Sequence, residues 1–319
     1  MDVPATTPPV SQPKRWRILN GLLDNPIIMK ELRGRMRDRR TFILLTAYLS
    51  LIGLFVGVVY LFMYDTLSYT RFEPGFRQSM GKAIFGTAIM IELLLISFIG
   101  PGLTAGSITS EREHRTYDLL KTTLITPREL VFGKLGAAVI YLLLLIFTTL
   151  PIQSLAFILG GIGLAETLIS GLILIVTAVF FCSLGLFFSS LLKRTLAATI
   201  TSYASILLSA LALVLFFFMF GLFESLLYNS YNNPGNGAAL EKFATLVMWI
   251  FVSSNSLLTV ITSETILIEE QSLFFTQSPF FGSTSMTLPS PWIIYVLLHA
   301  LLTAFLIFLS IRLVRRPEH

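Results

Sequence analysis

Long apolar blocks alternate with short polar, basic segments along this chain. The blocks run over about Thr41–Tyr64, Ala83–Ser107, Leu135–Leu159, Leu168–Leu192, Thr195–Leu222 and Trp292–Val314. Each is near the ~20 residues that carry a helix across a ~30 Å hydrocarbon core. Nothing in that core can pair with a bare backbone N–H or C=O, so each block must be helical. The ten-residue alternation of barrel strands does not appear. The pattern therefore predicts an all-α fold: a polytopic transmembrane helical bundle of six spans. The first block is too long for a signal peptide, and no small-residue cleavage site follows it.

One further stretch, Ala244–Thr262, is apolar enough to be a seventh span. The polar cluster Ser253, Ser254, Asn255 and Ser256 interrupts it. Six spans with a re-entrant segment fit the charges better. Of the 23 Lys and Arg, 19 precede the first block, lie between the second and third or the fourth and fifth, or follow the sixth. Only Arg71, Arg77, Lys82 and Lys242 fall on the other side. Because basic loops stay cytoplasmic, both termini are expected inside. A seventh span would place Arg312, Arg315 and Arg316 outside.

Composition agrees. Charged residues make up 13% of the chain and hydrophobic ones 54%, against about 25% charged in soluble domains. The net charge of +5 lies at the ends of the apolar blocks. That distribution points to anionic headgroups and topology, not to a nucleic-acid-binding face. The single cysteine, Cys182, excludes an internal disulfide or a cysteine metal site.

The polar segments have their own structure. Residues 1–24, Pro- and Thr-rich over 1–13, are expected to form a disordered cytoplasmic tail. Residues 25–40 predict an amphipathic interfacial helix, with Asn25 as cap, Pro26 at its first position, and Ile28, Leu32 and Met36 on one face. The membrane domain then occupies 41–314, and 315–319 form a second cytoplasmic tail. Within 109–134, Ser110 and Glu113 have the spacing of a capping box, and Glu111 with Arg115 that of an i,i+4 pair. These predict a charged helix from Glu111 to about Thr122. Thr126, Pro127 and Glu129 predict a second capped helix running straight into the third span. The external loop 223–289, divided by a Pro234–Gly237 turn, is too apolar for disorder and predicts short or re-entrant helices.

The chain carries little that could do chemistry. Gly133-Lys134 and Gly81-Lys82 lack the rest of a phosphate-binding loop, so any ATP must bind another chain. The three histidines are scattered, which speaks against a metal protease, and no Gly-x-Ser-x-Gly elbow is present. Glu92 is the one acid deep within a block, which makes it a candidate pathway residue or a structural acid. Pro101, between Gly100 and Gly102, bends the second span and is a candidate hinge.

The run Gly100-Pro101-Gly102-Leu103-Thr104-Ala105-Gly106-Ser107-Ile108-Thr109-Ser110-Glu111-Arg112-Glu113, with Thr116, Asp118-Leu119-Leu120 and Thr123, resembles the ABC-2 type transporter permeases. So do Thr126-Pro127-Arg128-Glu129-Leu130-Val131-Phe132-Gly133-Lys134 and the opening Asn25-Pro26-Ile27-Ile28-Met29-Lys30-Glu31-Leu32-Arg33. The sharpest part is about 35 residues after span two. Two departures stand out: the family glycine before Thr116 is Arg115, and the usual external Asn-Pro is Asn255-Ser256.

The resemblance implies the membrane subunit of an ATP-binding cassette transporter, with export as the direction of cargo movement, in a prokaryotic plasma membrane. It implies no catalysis and no cofactor on this chain, with ATP and Mg on a partner ABC ATPase subunit. It implies a coupling helix that docks on that subunit through Glu111, Arg112, Glu113, Thr116, Asp118, Leu119 and Leu120. One coupling helix per chain implies a second permease copy or paralogue, with the path near spans two and five. A membrane scaffold or sensor using the same helix is the alternative. A channel would need more polar residues within the spans than Glu92.

Overall fold

The computed structural model of the chain describes residues 26–66, 75–116, 126–231, 237–270, 272–277 and 286–315. Those residues are nearly all helical. In chain order they form α1 (Pro26–Arg37), α2 (Arg39–Thr66), α3 (Phe76–Thr104), α4 (Thr109–Glu113), α5 (Pro127–Leu159), α6 (Leu164–Leu191), α7 (Thr195–Tyr231), α8 (Gly237–Ser254), α9 (Ser256–Glu269) and α10 (Pro291–Arg315). Six helices are long and apolar enough to cross a membrane: α2, α3, α5, α6, α7 and α10. The described residues thus form a polytopic helical bundle with six candidate spans.

α6 is the centre of the bundle, with α3, α5, α7 and α10 packed around it. α2 lies outside, against α3 and α5. In the most apolar stretch of each helix, 50% of α3, 61% of α5 and 50% of α6 is buried, against 17% of α2, α7 and α10. The second group therefore turns most of its apolar surface outward, as Phe42, Phe62, Leu196, Leu207, Phe217 and Leu301 do. In water such a surface would be untenable, and in lipid it is the solvent-exposed face.

Close backbone approach holds the centre together. A Cβ built on Gly185 of α6 would strike Thr104 Oγ1, and would lie 2.9 Å from Pro101 Cα. One on Gly81 of α3 would strike the Gly160 carbonyl. Lipid supplies no hydrophobic drive between helices, so small residues that let backbones meet become the main source of contact. Hydroxyls inside the spans turn back onto their own helices. Thr87, Ser97, Thr104 and Ser202 each donate to the carbonyl four residues earlier.

The helix ends follow their sequence signals unevenly. Thr126 caps α5: its Oγ1 accepts from Glu129 N at 3.3 Å, and Glu129 Oε2 accepts from Thr126 N at 2.8 Å. Pro127 occupies the first helical position, and α5 continues unbroken into the third span, as expected. Asn25 lies outside the described residues. On α1, Ile27 and Ile28 are buried, Leu32 is half-buried and Met36 is exposed. The helix packs on α5 and presents Ile28, Glu31 and Arg35 inward, not the Ile28–Leu32–Met36 face.

The segment between α7 and α10 contains two helices. Between α8 and α9 the chain breaks at Asn255 and bends by 113°, the geometry of a broken span or of a re-entrant loop. The polar cluster causes the break. Asn255 Oδ1 accepts from Leu257 N at 3.0 Å and Leu258 N at 3.4 Å, and its Nδ2 donates to Ser209 O of α7. Beyond α9, β1 (Phe275–Thr276) pairs antiparallel with β2 (Leu288–Pro289). Most of the Pro234–Gly237 turn lies outside the described residues.

Replacing Gly185 by Ala forces α6 away from Pro101. We expect a loss of about 1–3 kcal/mol, seen as a lower thermal unfolding midpoint in detergent. Gly171→Ala, where a Cβ meets nothing within 4 Å, should leave that midpoint unchanged.

A candidate coupling site at the turn after the second span

After α3 the chain turns through Ala105–Ile108 into the single turn of α4. Each charged side chain of α4 leaves its own helix and binds another. Glu111 Oε1 accepts from Lys134 Nζ of α5 at 2.7 Å. Arg112 Nη1 donates to Ser190 O at 3.1 Å and Leu192 O at 2.9 Å, the terminal carbonyls of α6. Glu113 Oε1 accepts from Thr195 N at 2.8 Å, and its Oε2 from Thr195 Oγ1 at 2.7 Å, at the start of α7. The signs suit the helix ends they meet, since a cation favours a C-terminus and an anion an N-terminus.

Two expectations for this turn are corrected here. Ser110 and Glu113 form no capping box, because Glu113 is engaged by Thr195 and no side chain caps α4. Glu111 pairs with Lys134 and not with Arg115, because the helix stops at Glu113 instead of continuing to Thr122. Arg115 then takes φ +56°, a left-handed conformation that a glycine adopts without strain. That is the position where the resembling family carries glycine. Thr116 is exposed, and its hydroxyl donates back to Glu111 O at 3.2 Å. Asp118, Leu119 and Leu120 lie outside the described residues.

Lys134 joins these parts. It is only 4% exposed, and its ammonium also donates to Ser107 O at 2.8 Å and Glu31 Oε1 of α1 at 3.5 Å. A buried ammonium is tolerable only with such partners. Arg35, one turn after Glu31, donates to Leu103 O at 3.0 Å. Ser189 Oγ accepts from both Ile108 N and Thr109 N. The sequence reading singled out none of Glu31, Lys134, Ser189 and Thr195 as site residues. The available signal was Lys134 itself, a lysine at the threshold of a long apolar block.

The three stretches that carry the sequence resemblance thus meet at one ammonium group: Glu31, Glu111 and Lys134. Compared with families of known proteins, residues 25–259 match the ABC-2 family transporter protein family. The chain belongs to the ABC-2 transporter permease family. It is a membrane component of an ABC transporter. Among curated proteins, no match is found.

Two other features of the permease bear on how it works. Glu92 of α3 is fully buried and takes three donors. Tyr48 Oη of α2 lies at 3.1 Å, Thr149 Oγ1 of α5 at 2.8 Å and Gln153 Nε2 of α5 at 2.9 Å. The acid therefore ties the first three spans of the permease together. Pro101 is buried inside α3, against Gly185. Nearby, Tyr203 of α7 stacks on Phe98 and donates to Phe98 O at 3.3 Å. His299, in α10, packs edge-on to Phe180 and contacts the Tyr295 carbonyl at 3.0 Å.

Removing either partner of the Lys134–Glu111 pair should destabilise the permease by about 2 kcal/mol, discounted from the fully buried case because Glu111 is partly exposed. The two losses should not add. We expect the Lys134→Met, Glu111→Ala double variant to fall short of their sum by about 1 kcal/mol in thermal unfolding. Simple additivity would show that the pair is not coupled.

Proposed function

We propose that this permease couples ATP hydrolysis by a separate ABC ATPase subunit to substrate movement, as an exporter. The observation that carries the reading is the anchoring of α4. Its three charged side chains bind the ends of α5, α6 and α7, and it continues directly from α3. A push on the adjoining segment would therefore reach four helices without an intervening slack loop.

In this reading the docking surface is Thr116 with Asp118, Leu119 and Leu120. Leu119 and Leu120 supply apolar burial and Asp118 supplies register. Glu111, Arg112 and Glu113 transmit the load. ATP and Mg bind the partner, and this chain holds no cofactor and performs no catalysis. ATP drives the cycle only through its different affinity for two packings of the spans. Pro101 is where α3 would bend between them, and Glu92 keeps the first three spans moving together. Two ATPase subunits require two permease chains, like or unlike. The termini lie in the cytoplasm, and the membrane is a prokaryotic plasma membrane.

Two experiments test this. The protein, purified with the products of its neighbouring genes, should bring an ATPase with it. Asp118→Ala, Leu119→Ala and Leu120→Ala together should remove that ATPase while the thermal midpoint stays within the error of wild type. Full retention would reject docking at this segment. For orientation, Lys82→Cys and Lys193→Cys should be introduced singly, with Cys182 changed to Ala. A membrane-impermeant maleimide on intact cells should label the first and not the second, and the opposite result would invert the topology.

A further inference from the structure

A second feature lies where α5 begins and α10 ends. A basin of about 710 Å³ opens there, lined by Thr126, Pro127 and Arg128 of α5 and by Phe308, Ile311, Arg312 and Arg315 of α10. Three arginines from two helices line it. Among the described residues none of the three forms an ion pair. Arg312 instead lies over the Phe308 ring, 5.9 Å from its centroid. Like charges gathered in this way repel one another unless an anion sits between them.

The backbone adds to the field. α5 runs for 33 residues, and its N-terminus is the positive end of the helix dipole. The acid on this turn, Glu129, has its carboxylate directed at Thr126 N in the capping box. The other half of the lining is apolar. Phe308 is 57% exposed, and Ile311 and Pro127 are half-buried. Charged and apolar walls side by side suit an amphiphile, whereas a free anion would have no use for the apolar half.

We propose that this basin binds an anionic phospholipid of the adjoining leaflet. The phosphate sits among Arg128, Arg312 and Arg315, and the glycerol and upper acyl chain lie along Phe308 and Ile311. A basic pocket between spans at the headgroup level is the geometry that such recognition needs. The assignment does not depend on the ATPase reading.

The test uses the full chain in detergent, titrated with phosphatidylglycerol or phosphatidylcholine, with bound lipid counted by native mass spectrometry. Wild type should prefer phosphatidylglycerol. The combined Arg128→Gln, Arg312→Gln and Arg315→Gln variant should lose that preference by about fivefold per arginine removed. The corresponding Lys variants should keep most of it, and Lys82→Gln should not alter it. Inorganic phosphate in large excess over the lipid should not displace it. Equal binding of the two lipids, or an undiminished preference in the triple Gln variant, would overturn the proposal. So would displacement by inorganic phosphate, which would assign the basin to a free anion. A triple variant that keeps its lipid preference but loses a co-purifying ATPase would make the basin a protein-docking surface, again against the proposal. Arg312→Gln and Arg315→Gln, each tested alone, cover poor folding of the triple variant. If neither weakens phosphatidylglycerol binding, the site is rejected.

Discussion

The ammonium group of Lys134 cannot be left alone where it sits. It has almost no contact with solvent, and an unpartnered charge there would cost several kcal/mol. Its partners come from three separate parts of the chain: Glu31 from α1, the Ser107 carbonyl from the turn after α3, and Glu111 from α4. Satisfying one charge therefore fixes the entry helix, the end of the second span and the start of the third. Arg112 and Glu113 extend the same junction to α6 and α7. The geometry of this end of the bundle follows from the need to satisfy that cation.

The middle of the bundle obeys a different constraint. There the cost is an unpaired dipole, and most side chains answer it locally by bonding to their own helix. Glu92 is an exception, because a carboxyl group has more acceptor sites than its own helix can fill. It draws donors from α2 and α5 and so ties the first three spans. Around it, contact depends on glycines such as Gly185 and Gly81, where backbone meets backbone.

Much of this was legible in the sequence, and the reasons differ by feature. The six spans could be read because the bilayer imposes a length and a composition that few other structures share. The start of α5 could be read because Thr126 and Glu129 cap each other within one turn, three residues apart. The break at Asn255 showed as a polar cluster in an apolar run. What failed was the interior of the turn between α3 and α5. Ser110, Glu111, Glu113 and Arg115 stand at spacings that would pair them within one helix. Long-range partners outcompeted the local ones: Lys134 is 23 residues from Glu111, and Thr195 is 82 from Glu113. Local spacing cannot reveal such partners. The inward face of α1 was misjudged for the same reason, since Ile27, Glu31 and Arg35 are chosen by α5 and the end of α3, not by helical periodicity alone.

The ties around α4 can also be counted as degrees of freedom. Four helix ends joined at one short turn behave there as a single body, with little room to slide past one another. Any large rearrangement of the bundle must then be taken up by what that knot does not hold. That leaves the far end of α7 and the bent pair α8 and α9. The firmness of one end of the molecule thus dictates that its compliance resides at the other.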